Sequence, residues 1–105
     1  MKQESPFACI MTDLTPNQRT RTFELLDELK AKKQEVKEMS DGFAFRYAMD
    51  SEMFRNAAEF VTDERLCCPF FDFDLIVERE GGDMWLKLTG REGVKEFIQE
   101  EFDLE

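Results

Sequence analysis

The chain contains no histidine. That absence removes the usual neutral metal ligand, the usual general base for a serine or cysteine nucleophile, and the side chain that most often senses physiological pH. Proline and glycine are sparse, at three and five residues, which leaves no linker and no low-complexity segment. No apolar run approaches the ~20 residues of a membrane span, and the start, Met1-Lys2-Gln3-Glu4, lacks a signal-peptide core. A cytoplasmic location is the resulting expectation. Three cysteines are too few for a disulfide scaffold and leave at least one thiol unpaired, which suits a reducing compartment. Basic residues are also in deficit, at 14 against 24 acidic ones, for a net charge of −10. Nucleic-acid binding rests on neutralising phosphates, and anionic membranes likewise attract cations, so neither is an expected partner. Residues 16–34 are the exception, with five basic and three acidic groups. A mildly basic helix on an acidic body reads as a solvated face.

What is present is aromatic bulk. Eleven phenylalanines and one tryptophan supply large apolar groups with little polar demand. An apolar fraction of 42% is too high for a disordered chain. A length of 105 residues suits one domain with an efficient core. The expectation is a single α+β domain over 1–105, ordered from about 6 to 100 with frayed ends.

Apolar periodicity and punctuation order the elements. Phe7 to Thr12, bounded by Pro6 and Asp13, reads as a strand. Thr15-Pro16-Asn17-Gln18 reads as a helix start, with a capping box and proline in the first turn. Phe23, Leu25, Leu26 and Leu29 then form an apolar stripe ending near Lys32-Lys33. Asp41-Gly42 marks a hairpin. After it Phe43, Phe45 and Tyr47 alternate with Ala44, Arg46 and Ala48; before it Val36 and Met39 have opposite parity, which suggests a bulge or a frayed edge. A second helix from about Ser51 carries Met53, Phe54, Ala57, Phe60, Val61 and Leu66, and Pro69 forbids its continuation. Phe71, Phe73, Leu75 and Val77 alternate with Asp72, Asp74, Ile76 and Glu78. A tight turn at Gly81-Gly82 would pair Val77 with Leu86 and Leu75 with Leu88. Thr89-Gly90-Arg91-Glu92 would cap a last helix bearing Val94, Phe97, Ile98 and Phe102, with an acidic, fraying end at Glu100, Glu101 and Asp103. The order β-α-β-β-α-β-β-α predicts an antiparallel sheet with helices on one face, its first six elements in the ferredoxin-like arrangement.

Chemistry points to Cys67 and Cys68, adjacent at the end of the second helix, with Cys9 distant in sequence. Adjacent thiols can chelate a soft ion such as Hg(II), As(III), Cu(I) or Zn(II), and a third thiolate completes a trigonal site. A reactive thiol needs a lowered pKa. Arg65 favours that, whereas Asp63, Glu64 and the helix C-terminus oppose it. In a ferredoxin-like sheet the helix end would lie nearer Thr12 than Cys9, an offset of roughly 10 Å. Three functional classes follow: a module binding a soft metal or metalloid through Cys67, Cys68 and Cys9; a structural or interaction domain with inert buried cysteines; and a thiol redox protein. No catalytic constellation is evident. Asp72, Asp74 and Glu78 read as ordinary outward acids, and Arg91 between Gly90 and Gly93 as part of a tight strand-to-helix turn.

Three segments resemble a family. Phe7-Ala8-Cys9, Glu64-Arg65-Leu66-Cys67-Cys68-Pro69-Phe70-Phe71, and the run from Leu86-Lys87-Leu88-Thr89-Gly90 to Phe97 look like a group of small bacterial proteins of unassigned function. Its members share E-R-x-C-C-P-F and L-T-G-x-x-G-x-K-x-F segments. The resemblance implies no activity, and it implies that Cys9, Cys67 and Cys68 belong to one motif set. Finally, the expected hairpin puts Trp85 opposite Glu78 and Ile76 opposite Lys87 on the uncovered sheet face. That predicts a homodimer closed through this face.

Overall fold

The computed structural model describes residues 13–104. Helix α1 (Pro16–Lys32) opens with the expected reciprocal cap: the Thr15 hydroxyl accepts from the Gln18 N–H, and the Gln18 side chain accepts from the Thr15 N–H at 2.8 Å. Then follow β1 (Glu35–Met39), β2 (Gly42–Tyr47), α2 (Ser51–Cys67), β3 (Asp72–Val77), β4 (Met84–Thr89) and α3 (Val94–Glu101). The protein is therefore α+β, with one four-stranded antiparallel sheet and three helices among the described residues. The strand expected at Phe7–Thr12 lies outside them.

The sheet order is β1-β2-β4-β3, which corrects the ferredoxin-like expectation. That arrangement would seat the first strand between the second and third hairpin strands. Here β4 fills that place, pairing with β2 through Phe45↔Leu86 and with β3 through Leu75↔Leu86. Gly42 permits the close β2–β4 approach, since a Cβ there would stand 1.9 Å from the Leu88 carbonyl oxygen.

The β3–β4 register is also corrected. Val77 faces Met84 and Leu75 faces Leu86, because the turn is centred on Glu80-Gly81, one residue before Gly81-Gly82. Glu80 and Gly81 both adopt the left-handed region, at φ 60° and 75°, and the Gly82 N–H bonds to the Arg79 carbonyl. The slip is two residues, so every side chain keeps its face. Edge strand β1 pairs regularly, Val36 with Phe45 and Met39 with Gly42, and lies almost wholly exposed. An exposed edge needs no apolar parity, which is why Val36 and Met39 disagree.

The helices cover the face bearing Phe43, Phe45, Tyr47, Met84, Leu86 and Leu88, all buried. The Tyr47 hydroxyl reaches into α1 and donates to the Leu29 carbonyl at 2.9 Å. Helix α3 begins at Val94 after left-handed Gly93, not at a Thr89 cap, because Thr89 is held in β4 opposite Gly42 and Asp72. Its end does not fray. Phe102 is fully buried and stacks on Phe45 with centroids 4.5 Å apart, and Asp103 pairs with Lys30. An aromatic contact of this kind outweighs an unfavourable helix dipole of under ~1 kcal/mol.

Candidate functional site

Helix α2 builds the site through a regular stripe. Met53, Ala57, Phe60, Glu64 and Cys67 recur at intervals of four and three residues, and all are buried. Asp50 caps the start by accepting from the Met53 N–H. At the other end Pro69 stops the helix, and the Cys68 N–H closes on the Glu64 carbonyl at 2.7 Å. Both thiols are thereby turned inward, with Cys67 at 1% and Cys68 at 0% exposure. Neither is in a disulfide.

Glu64 is the residue that sequence reasoning valued too little. At 3% exposure its carboxylate sits in the stripe where an apolar side chain is normal. Its Oε1 lies 3.4 Å from Cys67 Sγ and 3.5 Å from Cys68 Sγ, and the sulfurs are 3.7 Å apart. One carboxylate and two thiols thus form a group whose ligand atoms all lie within 4.8 Å of one another. Arg65 points outward into solvent, so it does not offset this negative neighbour. Cys9 lies outside the described residues. The expected offset of roughly 10 Å rested on a ferredoxin-like strand order, which the sheet of the described residues does not follow.

Helix α3 brings a second acid to the same place. Glu101 follows Val94 and Ile98 in that helix's stripe, and its carboxyl oxygens are buried. Burial raises the pKa of both Glu64 and Glu101; Glu64 raises that of Glu101 further, while the hydrogen bond that protonated Glu101 donates to Glu64 draws the pKa of Glu64 back down in part. Among the described residues no cation is bonded to either acid; Lys30, which draws Glu101's pKa down somewhat, has its ammonium 2.6 Å from Asp103. Beside this pair opens a cavity of about 430 Å³ lined by Thr22, Phe23, Leu26, Glu64, Cys67, Phe97, Glu100 and Glu101. Phe23, expected in the core, is 57% exposed on its rim, because α1 turns Thr22, Leu25 and Leu29 inward instead.

The remaining candidates stay ordinary. Asp72, Asp74 and Glu78 are exposed on the sheet's open side. Arg91 lies in the turn before α3 with Asp41, Glu92, Lys95 and Glu96 around it, so acids outnumber bases there and the setting is ill suited to an anion. No helix of the described residues is long and apolar enough to cross a membrane. No protein-family model, curated protein or solved structure gives a significant match to the chain.

Proposed function

We propose that the protein binds a borderline or soft metal ion through Glu64, Cys67 and Cys68, with Cys9 as a further ligand. The single observation that carries this reading is the triangle of donor atoms, with edges of 3.4, 3.5 and 3.7 Å. A tetrahedral ion with bonds of about 2.0 Å to oxygen and 2.3 Å to sulfur requires edges of roughly 3.5 and 3.8 Å. The cluster therefore has the spacing of one tetrahedral face around Zn(II) or a similar ion. A linear S–Hg–S unit would need the sulfurs well over 4 Å apart. The donor set agrees with the spacing, since two thiolates and a carboxylate suit Zn(II) better than Cu(I) or a hard cation. Cys9 supplies a fourth ligand by the motif kinship with small bacterial proteins that carry E-R-x-C-C-P-F, a kinship that is itself part of the proposal.

A second reading has its own support. The same distances suit S–H···O contacts from both thiols to Glu64, which would make the cysteines inert core groups in a structural domain. The redox reading is weaker. Adjacent residues joined by a trans peptide have Cα atoms about 3.8 Å apart, below the 4.4–6.8 Å that disulfides prefer.

Thiol titration of the reduced native protein, with and without Zn(II), Hg(II) or As(III), separates these readings. One equivalent of Zn(II) is expected to block labelling, and Cys67→Ser, Cys68→Ser and Glu64→Gln are each expected to weaken uptake by at least about tenfold. Thiols that label only on unfolding, in a protein that takes up no ion, would return the structural reading. Reversible loss of labelling on mild oxidation would favour redox.

A further inference from the structure

Each of the three helices turns a polar residue toward one place: Thr22 in α1, Glu64 in α2 and Glu101 in α3. All three line the same cavity. Such positions normally hold apolar side chains, and a buried polar group without a partner costs about 1–3 kcal/mol. Here four atoms have none: Thr22 Oγ1, Glu64 Oε2 and both carboxyl oxygens of Glu101. Glu64 divides its work, since Oε1 faces the thiols while Oε2 belongs to the unpartnered set. A proton shared between Glu64 and Glu101 satisfies one contact and leaves an oxygen of Glu101 and the Thr22 hydroxyl still wanting. The described lining contains no lysine or arginine; its apolar walls are Phe23, Leu26 and Phe97, with Cys67 and Glu100 completing it.

We propose that this cavity is a binding site for a small organic ammonium ion: an alkyl or aryl amine whose body lies against Phe23, Leu26 and Phe97 and whose head is held by Glu64 Oε2, Glu101 and Thr22. An ammonium brings several N–H donors to a surface rich in carboxyl acceptors and without a cation, and its charge complements the acid pair. The apolar walls exclude water and reward a hydrocarbon body. A hydrated inorganic cation would gain nothing from those walls. The inference goes beyond the metal reading: it uses the other oxygen of Glu64 and needs neither cysteine.

The test is calorimetry on the full chain, metal-free and reduced, with phenethylamine as probe and 2-phenylethanol as its neutral counterpart. The amine is expected to bind at least about tenfold more tightly than the alcohol, the difference a charged hydrogen bond supplies. Glu101→Gln and Thr22→Val are expected to weaken the amine and not the alcohol. Phe23→Ser, at an exposed position where folding is not at issue, is expected to weaken both. Cys67→Ser is expected to weaken metal uptake by at least about tenfold yet keep the amine, so the two readings fail separately. Equal affinity for amine and alcohol, no binding at millimolar concentration, or amine binding unchanged in Glu101→Gln would each overturn the proposal.

Discussion

Glu64 and Glu101 concentrate the molecule's unusual energetics in two side chains. A free glutamate releases its proton near 4.5, and burial raises both of these above that value. Between the free and the folded values the folded chain holds protons that the unfolded chain has released. Stability from this pair is therefore fully present below about pH 4.5 and is lost as pH rises through the folded values. Glu101→Gln removes one titrating group and keeps the shape, with an amide that can donate to Glu64. The variant's advantage over the parent is expected to grow with pH across neutrality, reaching on the order of 1 kcal/mol or more. Urea denaturation at a series of pH values reads this difference directly; an offset that does not change with pH would show that Glu101 is not a buried acid. These residues were legible in part. Glu64 stands four residues after Phe60 and three before Cys67, and Glu101 three after Ile98, so each interrupts an apolar stripe. The sequence reading took both as charges acting on neighbours, because nothing local says that two stripes on different helices meet. Cys67 and Cys68 were legible because Pro69 marks the helix end and thiols are scarce.

At the scale of elements, what was legible is what local patterning controls. Capping at Thr15 and Gln18, the alternation of Phe43, Phe45 and Tyr47, and the stop at Pro69 each depend on a few adjacent residues. Which strand sits beside which depends on contacts far apart in the chain, and there expectation and structure parted. Strand β4 took the central place because Leu86, buried on both flanks, meets Phe45 and Leu75 together. Gly42 makes that approach possible, so it should tolerate no side chain. Gly42→Ala would drive a methyl group against the Leu88 carbonyl. A loss of about 2 kcal/mol or more is expected, read as a lower denaturant midpoint with little change in slope. A variant as stable as the parent would mean that β2 and β4 do not approach as closely as described. Helix α3 supplies the matching test on the opposite side of the sheet's core: Phe102→Ala removes the ring stacked on Phe45 and edged by Phe60, and should cost about 3–5 kcal/mol.

The whole molecule presents one sheet face that no described helix covers. Trp85 and Ile76 are direct partners there, with Ile76 38% exposed. Around them lie charges of both signs, and Glu35 on β1 is already paired with Arg46 of β2. Lys37 lies on edge strand β1, close to the Trp85 ring, while Asp72 and Asp74 lie on the opposite edge strand, β3. A two-fold axis passing between β2 and β4 would set the β1 edge of one copy against the β3 edge of the other. Lysine would then meet aspartate twice, around a centre of two tryptophans and two isoleucines. We propose a homodimer closed in this way, an isologous contact in which one patch serves both subunits. The Trp85 indole already donates to Glu78 of its own chain, so the ring is held ready and loses little freedom on pairing. The acidic excess of the whole chain, a net charge of −10, opposes association, so the dimer is expected to become more favoured as salt screens that repulsion. Light scattering at micromolar concentration is expected to give twice the chain mass. Trp85→Lys is expected to halve it while leaving the circular dichroism of the monomer unchanged. A parent protein with the mass of one chain at every salt concentration would end the proposal, and the open face would then be a solvated surface whose tryptophan is sheltered by Lys37 and Glu78 alone.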